Sequence, residues 1–218
     1  MNAAFIMTAS HQAEIEFPIA GALPYLNRVQ VIAYPSSRQH AISCSYRDRL
    51  ASIKEILGHS RSDEDPTTLD IDVVVRFSDP RFDGQSYGLA LALADKLARF
   101  GNPTPYHRIV ATGVLTHERV ICRVEGFAEK LKAIAEHCNS EALFIFPKEN
   151  QEKESILLTE LNISISQCAV SQLDDLCELW QACSEQLLPS QYWRLFWRGA
   201  IFGFGLVLSI TCVLILFS

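Results

Sequence analysis

Asp83-Gly84-Gln85-Ser86-Tyr87-Gly88, followed at once by Leu89-Ala90-Leu91-Ala92-Leu93-Ala94, is the stretch from which the fold is read. Small residues flank a serine where a strand-like segment gives way to an Ala/Leu-rich one. Leu89, Leu93 and Leu97 recur at i, i+4 and i+8, and the length and alanine content favour a helix over about 86–100, although the Leu-Ala alternation also permits a strand. Gly101-Asn102-Pro103 stops it. Upstream, Ile71, Val73 and Val75 alternate in a strand over about 69–77 that ends at the turn Ser78-Asp79-Pro80. A serine at such a junction is an ordinary N-cap. It also sits where free backbone N–H groups and the positive end of a helix stabilise an oxyanion.

Working outward, 29–33 and 41–45 read as short strands on either side of Pro35-Ser36-Ser37, a hairpin signal, with a helix over about 48–57 after them. Downstream, 109–115 and 119–124 form a predicted hairpin around Thr116-His117-Glu118. A helix over about 127–137 leads to a strand at 142–146, a turn at Pro147-Lys148-Glu149-Asn150, a strand over 163–170 and a helix near 173–186. Strands and helices alternate without a clean series of βαβ units, so the class is α+β, or α/β-type, with a mixed sheet and packed helices.

Three further stretches follow the serine in order: Ala111-Thr112-Gly113, then Val124-Glu125-Gly126-Phe127-Ala128-Glu129-Lys130-Leu131, then Ile145-Phe146-Pro147-Lys148-Glu149-Asn150. Jointly, from about 21 to 183, they resemble the proteolytic domain of Lon proteases. That family has an Asp-Gly-x-Ser-x-Gly segment opening an Ala/Leu-rich helix, a Thr-Gly pair, a Gly-(apolar)-Lys-Glu-Lys-Leu helix start and an (apolar)-Pro-x-Glu-Asn turn. The resemblance implies a serine nucleophile at Ser86 and a lysine general base at Lys130, 44 positions apart. It implies that the Thr112 hydroxyl orients the lysine amine, and that backbone N–H groups of Gly84, Gln85 and Ser86 bind the oxyanion. It also implies a homo-oligomer, by analogy a hexamer.

The chemistry asks for these residue types. A serine hydroxyl attacks a carbonyl only when a neighbouring base takes its proton, and a lysine serves as that base only if its pKa falls towards neutrality. Burial and a helix N-terminus both act in that direction, and Lys130 falls about one turn inside a helix that begins near Gly126. The bland readings are a solvated lysine beside Lys132 and an ordinary strand threonine.

Departures from the family pattern are specific. Tyr87 stands where a small residue is usual and is expected to narrow the cleft or shield Ser86. Gln85 replaces a common proline, Val114 a glutamate, and Glu125 and Ala128 interrupt the Gly-Gly-(apolar)-Lys pattern. Asp79 and Asp83, close to Ser86 in sequence, are candidate regulatory acids that would pair with Lys130 and raise its pKa.

Composition narrows the function further. The 218 residues carry 19 basic and 25 acidic side chains, a net charge of −6 that gives no footprint for nucleic acid. Seven scattered cysteines (Cys44, Cys122, Cys138, Cys168, Cys177, Cys183, Cys212) include no Cys-x-x-Cys pair, which fits a reducing compartment. His107, His117 and His137 lack zinc-ligand spacing, and no G-x-x-x-x-G-K-[ST] occurs, so no metal, cofactor or nucleotide hydrolysis is expected. Met1 to Glu16 lacks the basic and apolar regions of a secretory signal.

The run 199–217 holds 19 residues without a charge, and as a helix it spans roughly 30 Å, the hydrocarbon thickness of a bilayer. Tyr192, Trp193, Leu195, Phe196 and Trp197, with Arg194 and Arg198, precede it as a cytoplasmic interfacial belt. Gly199 and Gly203 form a small-xxx-small pair. The expected organisation is an N-terminal segment at 1–20, a Lon-like domain at 21–186, a juxtamembrane segment at 187–198 and a transmembrane helix at 199–217. The expected function is a membrane-anchored serine endopeptidase acting on protein or peptide substrates, with the catalytic domain in the cytoplasm. Lacking an ATPase, it would take substrates already unfolded, local to the membrane or delivered by a separate ATPase or adaptor. The alternative is a catalytically silent Lon-like scaffold that binds partners at the membrane.

Overall fold

A computed structural model describes residues 11–35, 41–64, 71–101, 104–160 and 165–176. Nearly all of them belong to one compact unit, Met1–Asn102 with Tyr106–Cys177. The predicted juxtamembrane segment and transmembrane helix, and most of the helix near 173–186, lie outside the described residues. Among the described residues no helix is long and apolar enough to cross a membrane.

The unit is α+β. Its strands are β1 (His11–Ile19), β2 (Tyr25–Pro35), β3 (Ile42–Cys44), β4 (Ile71–Phe77), β5 (Arg108–Ala111), β6 (Val114–Leu115), β7 (Ile121–Cys122), β8 (Ala142–Pro147) and β9 (Ser166–Val170). The helices are α1 (Leu50–Ser60), α2 (Gly88–Phe100), α3 (Phe127–His137), α4 (Lys148–Lys153) and α5 (Ser155–Glu160). Seven strands form a mixed sheet in the order β3-β4-β2-β1-β5-β8-β9. The pairs β1/β2 and β2/β4 are antiparallel and the others parallel, while β6 and β7 make a separate antiparallel ribbon.

The strand in the middle of this sheet is β1, so the folded unit includes residues the sequence assigned to an N-terminal segment. Its Ala13, Ile15 and Phe17 alternate with Glu14 and Glu16, and Ile15 and Phe17 are fully buried. Glu16 is registered opposite Val110 of β5, so Phe17 beside it faces the other way. On that side Phe17, Phe77, Phe82 and Tyr87 interlock with centroid separations of 5.1–6.1 Å. Each such ring contact adds about 0.5–1.5 kcal/mol to its area burial. Elsewhere Val110, Phe144 and Phe146 pack with Phe127, Leu131 and Ile134 of α3. All six residues of β8 are buried, as expected of a parallel strand covered on both faces.

Three sequence expectations are corrected. The strands expected at 29–33 and 41–45 do not form a hairpin, because β4 lies between β2 and β3: Val73, Val75 and Phe77 register against Ala33, Val31 and Val29, a longer apolar match than the three residues of β3 offer. The strand expected at 109–115 breaks after Ala111: the Thr112 N–H still donates to the Ile145 carbonyl of β8, but Gly113 turns its N–H to the Ser86 carbonyl and its carbonyl to the Leu89 N–H at the start of α2. Lys148–Lys153 is a short helix rather than a turn, with Lys153 paired to Glu149 at i, i+4 over 2.7 Å.

Candidate active site

Ser86 sits two residues before α2, after the exposed turn Asp83-Gly84-Gln85. It is not a helix cap. The N-cap position is Tyr87, no side chain caps the helix, and the Ser86 hydroxyl makes no hydrogen bond among the described residues. Its backbone is held tightly instead. The Ser86 carbonyl accepts the Gly113 N–H at 2.8 Å and the Thr112 hydroxyl at 3.3 Å, while the Gly113 carbonyl accepts the Leu89 N–H at 3.0 Å. Gly113 must lack a side chain here, since a Cβ would lie 2.7 Å from Ile121 Cγ2. The N–H groups of Gly84, Gln85 and Ser86 donate no bond among the described residues, so the turn presents three free donors beside a half-buried hydroxyl.

Lys130 arrives from the other side. It lies one turn into α3, and its N–H donates to the Gly126 carbonyl at 3.1 Å. Gly126 has φ 61°, and a Cβ there would lie 2.7 Å from that of Ala20, so only glycine lets the chain turn into α3 against the end of β1. Phe127, Lys130, Leu131 and Ile134 are the buried stripe of the helix, and Lys132 is exposed. The solvated-lysine reading therefore describes Lys132. Lys130 is only 4% exposed, and no hydrogen bond or ion pair engages its amine among the described residues. Burial pushes its pKa down to about 8, against the smaller upward pull of Glu125 and Glu129.

Asn150 fixes the segment leading into α3. Fully buried, it accepts the Val124 N–H on Oδ1 at 2.9 Å and donates Nδ2 to the Val124 carbonyl at 3.0 Å and to Glu154 Oε1 at 3.2 Å. The sequence placed Asn150 in a turn motif without giving it a task. Its signal was an amide, able to donate and accept at once, three residues after an apolar strand. Asn150→Ala should cost about 2–4 kcal/mol, because both Val124 backbone groups lose their buried partner. Chemical denaturation of the two proteins checks this.

Ser86, Lys130, Gly84, Gln85, Asp83 and Val114 line one cavity of about 690 Å³, together with Tyr25, Arg81, Glu125 and Gly126. The sequence-selected serine, lysine and oxyanion turn thus share one space.

Three other site residues are placed differently from expectation. The Thr112 hydroxyl donates to the Ser86 carbonyl, so it holds the backbone of Ser86 rather than a lysine amine. Tyr87 does not shield the cleft. It is 1% exposed, packed edge-to-face against Phe77 and Phe82 and tilted against Phe17, with its hydroxyl 2.9 Å from Ser52 Oγ.

Asp79 does not pair with Lys130 either. The Arg81 N–H holds its carboxyl below the usual range, helped by the Arg81 guanidinium and the Tyr25 hydroxyl, and Asn27 bonds the Asp79 backbone on both sides. Asp83 lines the cavity, but the acids that act on Lys130 are Glu125 and Glu129. Among the described residues, no three His, Cys, Asp or Glu side chains gather as a metal would require. Neither a protein-family model nor a curated protein matches the sequence.

Proposed function

We propose that the chain is a serine endopeptidase in which Lys130 activates Ser86, held at a membrane by the run 199–217 with its catalytic domain on the cytoplasmic side. The observation that carries the reading is the burial of Lys130, unpartnered, in the cavity that Ser86 also lines. Taking an ammonium out of water without a partner costs stability, and a structural role offers no return for that cost. A base that must be neutral near physiological pH explains it.

The chemistry follows from the groups present. The neutral Lys130 amine takes the Ser86 proton as Oγ attacks the substrate carbonyl carbon, and the negative oxygen is received by N–H groups of the Gly84–Ser86 turn. The ammonium then protonates the leaving amine as the C–N bond breaks, which leaves an ester on Ser86. Lys130 next takes a proton from a water whose oxygen attacks the ester carbon, and returns that proton to Ser86 Oγ as the C–Oγ bond breaks and the acid is released. The membrane part of the proposal rests on the uncharged run and the aromatic and arginine belt before it.

The test is a pH–rate profile for hydrolysis of an unstructured peptide. Because the neutral amine is the working form, kcat/KM should rise about tenfold per pH unit below 8 and level off above it. A rate that is flat from pH 6 to 9 (roughly the range where such a base titrates), or that falls as pH rises, contradicts a lysine base.

A further inference from the structure

We propose that the cavity selects peptides bearing a lysine or arginine side chain next to the bond that Ser86 attacks, with Asp83 and Glu125 receiving the cation. The inference rests on the proposed hydrolysis and specifies its substrate class. Five charged side chains line the cavity: Arg81, Asp83, Arg123, Glu125 and Lys130. Both arginines are already committed to carboxylates that do not line it. Arg81 Nε lies 3.2 Å from Asp79 Oδ1, and Arg123 Nη2 lies 3.3 Å from Glu154 Oε1.

Asp83 and Glu125 are exposed and make no hydrogen bond or ion pair among the described residues. They stand on the two segments that carry the reactive groups: Asp83 opens the turn that ends in Ser86, and Glu125 precedes the glycine from which α3 starts.

Lys130 supplies the independent sign that the cavity handles a polar ligand, being an unpartnered cationic side chain only 4% exposed on its wall. It also decides the sign of the preference. In its working form the amine is neutral, so the unpaired charges facing a substrate are the two carboxylates. A cationic side chain completes them and an acidic one is repelled. Because both acids are exposed, each pairing is screened and the preference is modest, roughly 3- to 10-fold in kcat/KM.

The experiment uses the full chain in detergent micelles and three unstructured fluorogenic peptides that differ only in having Lys, Met or Glu beside the cleaved bond. The expected order is Lys over Met over Glu, with the Lys/Glu ratio shrinking at high salt and falling to about twofold or less in an Asp83→Asn/Glu125→Gln double variant. Each single variant should lie between. Equal cleavage of the three peptides, a preference for Glu, or a ratio that survives in the double variant overturns the inference while leaving the hydrolytic reading intact. If wild type cleaves none of the peptides and a neutral fluorophosphonate fails to label Ser86, the hydrolytic reading falls and the inference with it.

Discussion

Replacing Lys130 with methionine is expected to abolish peptide hydrolysis and, at pH 7, to make the folded domain more stable by about 1–3 kcal/mol. The two effects have one cause. Lys130 is buried without a partner, and its pKa falls from 10.5 towards 8 because burial penalises the charged form. A lysine whose folded pKa is depressed carries a cost that is fully present below pH 8. Between pH 8 and the unfolded value the unfolded chain binds more protons than the folded one, so stability rises with pH across that window.

Methionine has similar length, carries no charge and should fit the space that the Lys130 side chain occupies on the cavity wall, so the variant should lose that slope as well as the cost. Hydrolysis should fall by roughly 10³-fold or more, since no other base acts on Ser86. Urea denaturation of both proteins at pH 7 and pH 10 (on the order of the unfolded lysine pKa), alongside peptide cleavage, reads both effects. A less stable Lys130→Met variant would mean that the lysine is anchored by favourable contacts, and the case for a poised base would weaken.

Ser86→Ala should also abolish hydrolysis, by roughly 10³- to 10⁶-fold, but with almost no change in stability. The bonds that fasten this position to Thr112 and Gly113 use the Ser86 carbonyl, which alanine retains, and the hydroxyl caps nothing. The variant therefore keeps the turn, the free N–H groups and the cavity while removing one oxygen. Loss of cleavage with unchanged melting behaviour assigns the loss to chemistry. If the variant cleaves as fast as wild type, Ser86 is not the nucleophile.

What could be read from the sequence was what neighbouring residues determine. The α3 helix follows from the 3.6-residue spacing of Phe127, Leu131 and Ile134, β8 from a continuous apolar run, and α2 from its Leu/Ala pattern. The burial of Lys130 was expected only through the family resemblance, although its place three residues after Phe127 and four before Ile134, on their stripe, is a local signal for it. Pairings distant in sequence were not legible. The insertion of β4 beside β2 depends on which strand offers the longer apolar match, and the central place of β1 was masked by Glu14 and Glu16, which line the face opposite Ile15 and Phe17. The direction of Tyr87 is set by a pocket built from Phe17, Phe77 and Phe82, three residues from three other segments. For the same reason the acids that act on Lys130 come from its own helix start rather than from the turn next to Ser86.

The most direct test of the central claim, that Lys130 activates Ser86, is acylation of the intact protein by a neutral fluorophosphonate, read by mass and by peptide mapping. At pH 8 (about the Lys130 pKa) the wild-type chain should gain a single adduct on Ser86, with a labelling rate that rises with pH alongside the peptidase rate, and neither Ser86→Ala nor Lys130→Met should be labelled there. Labelling of Ser86 at the same rate in Lys130→Met, or an adduct on a different residue of the wild-type chain, would contradict it.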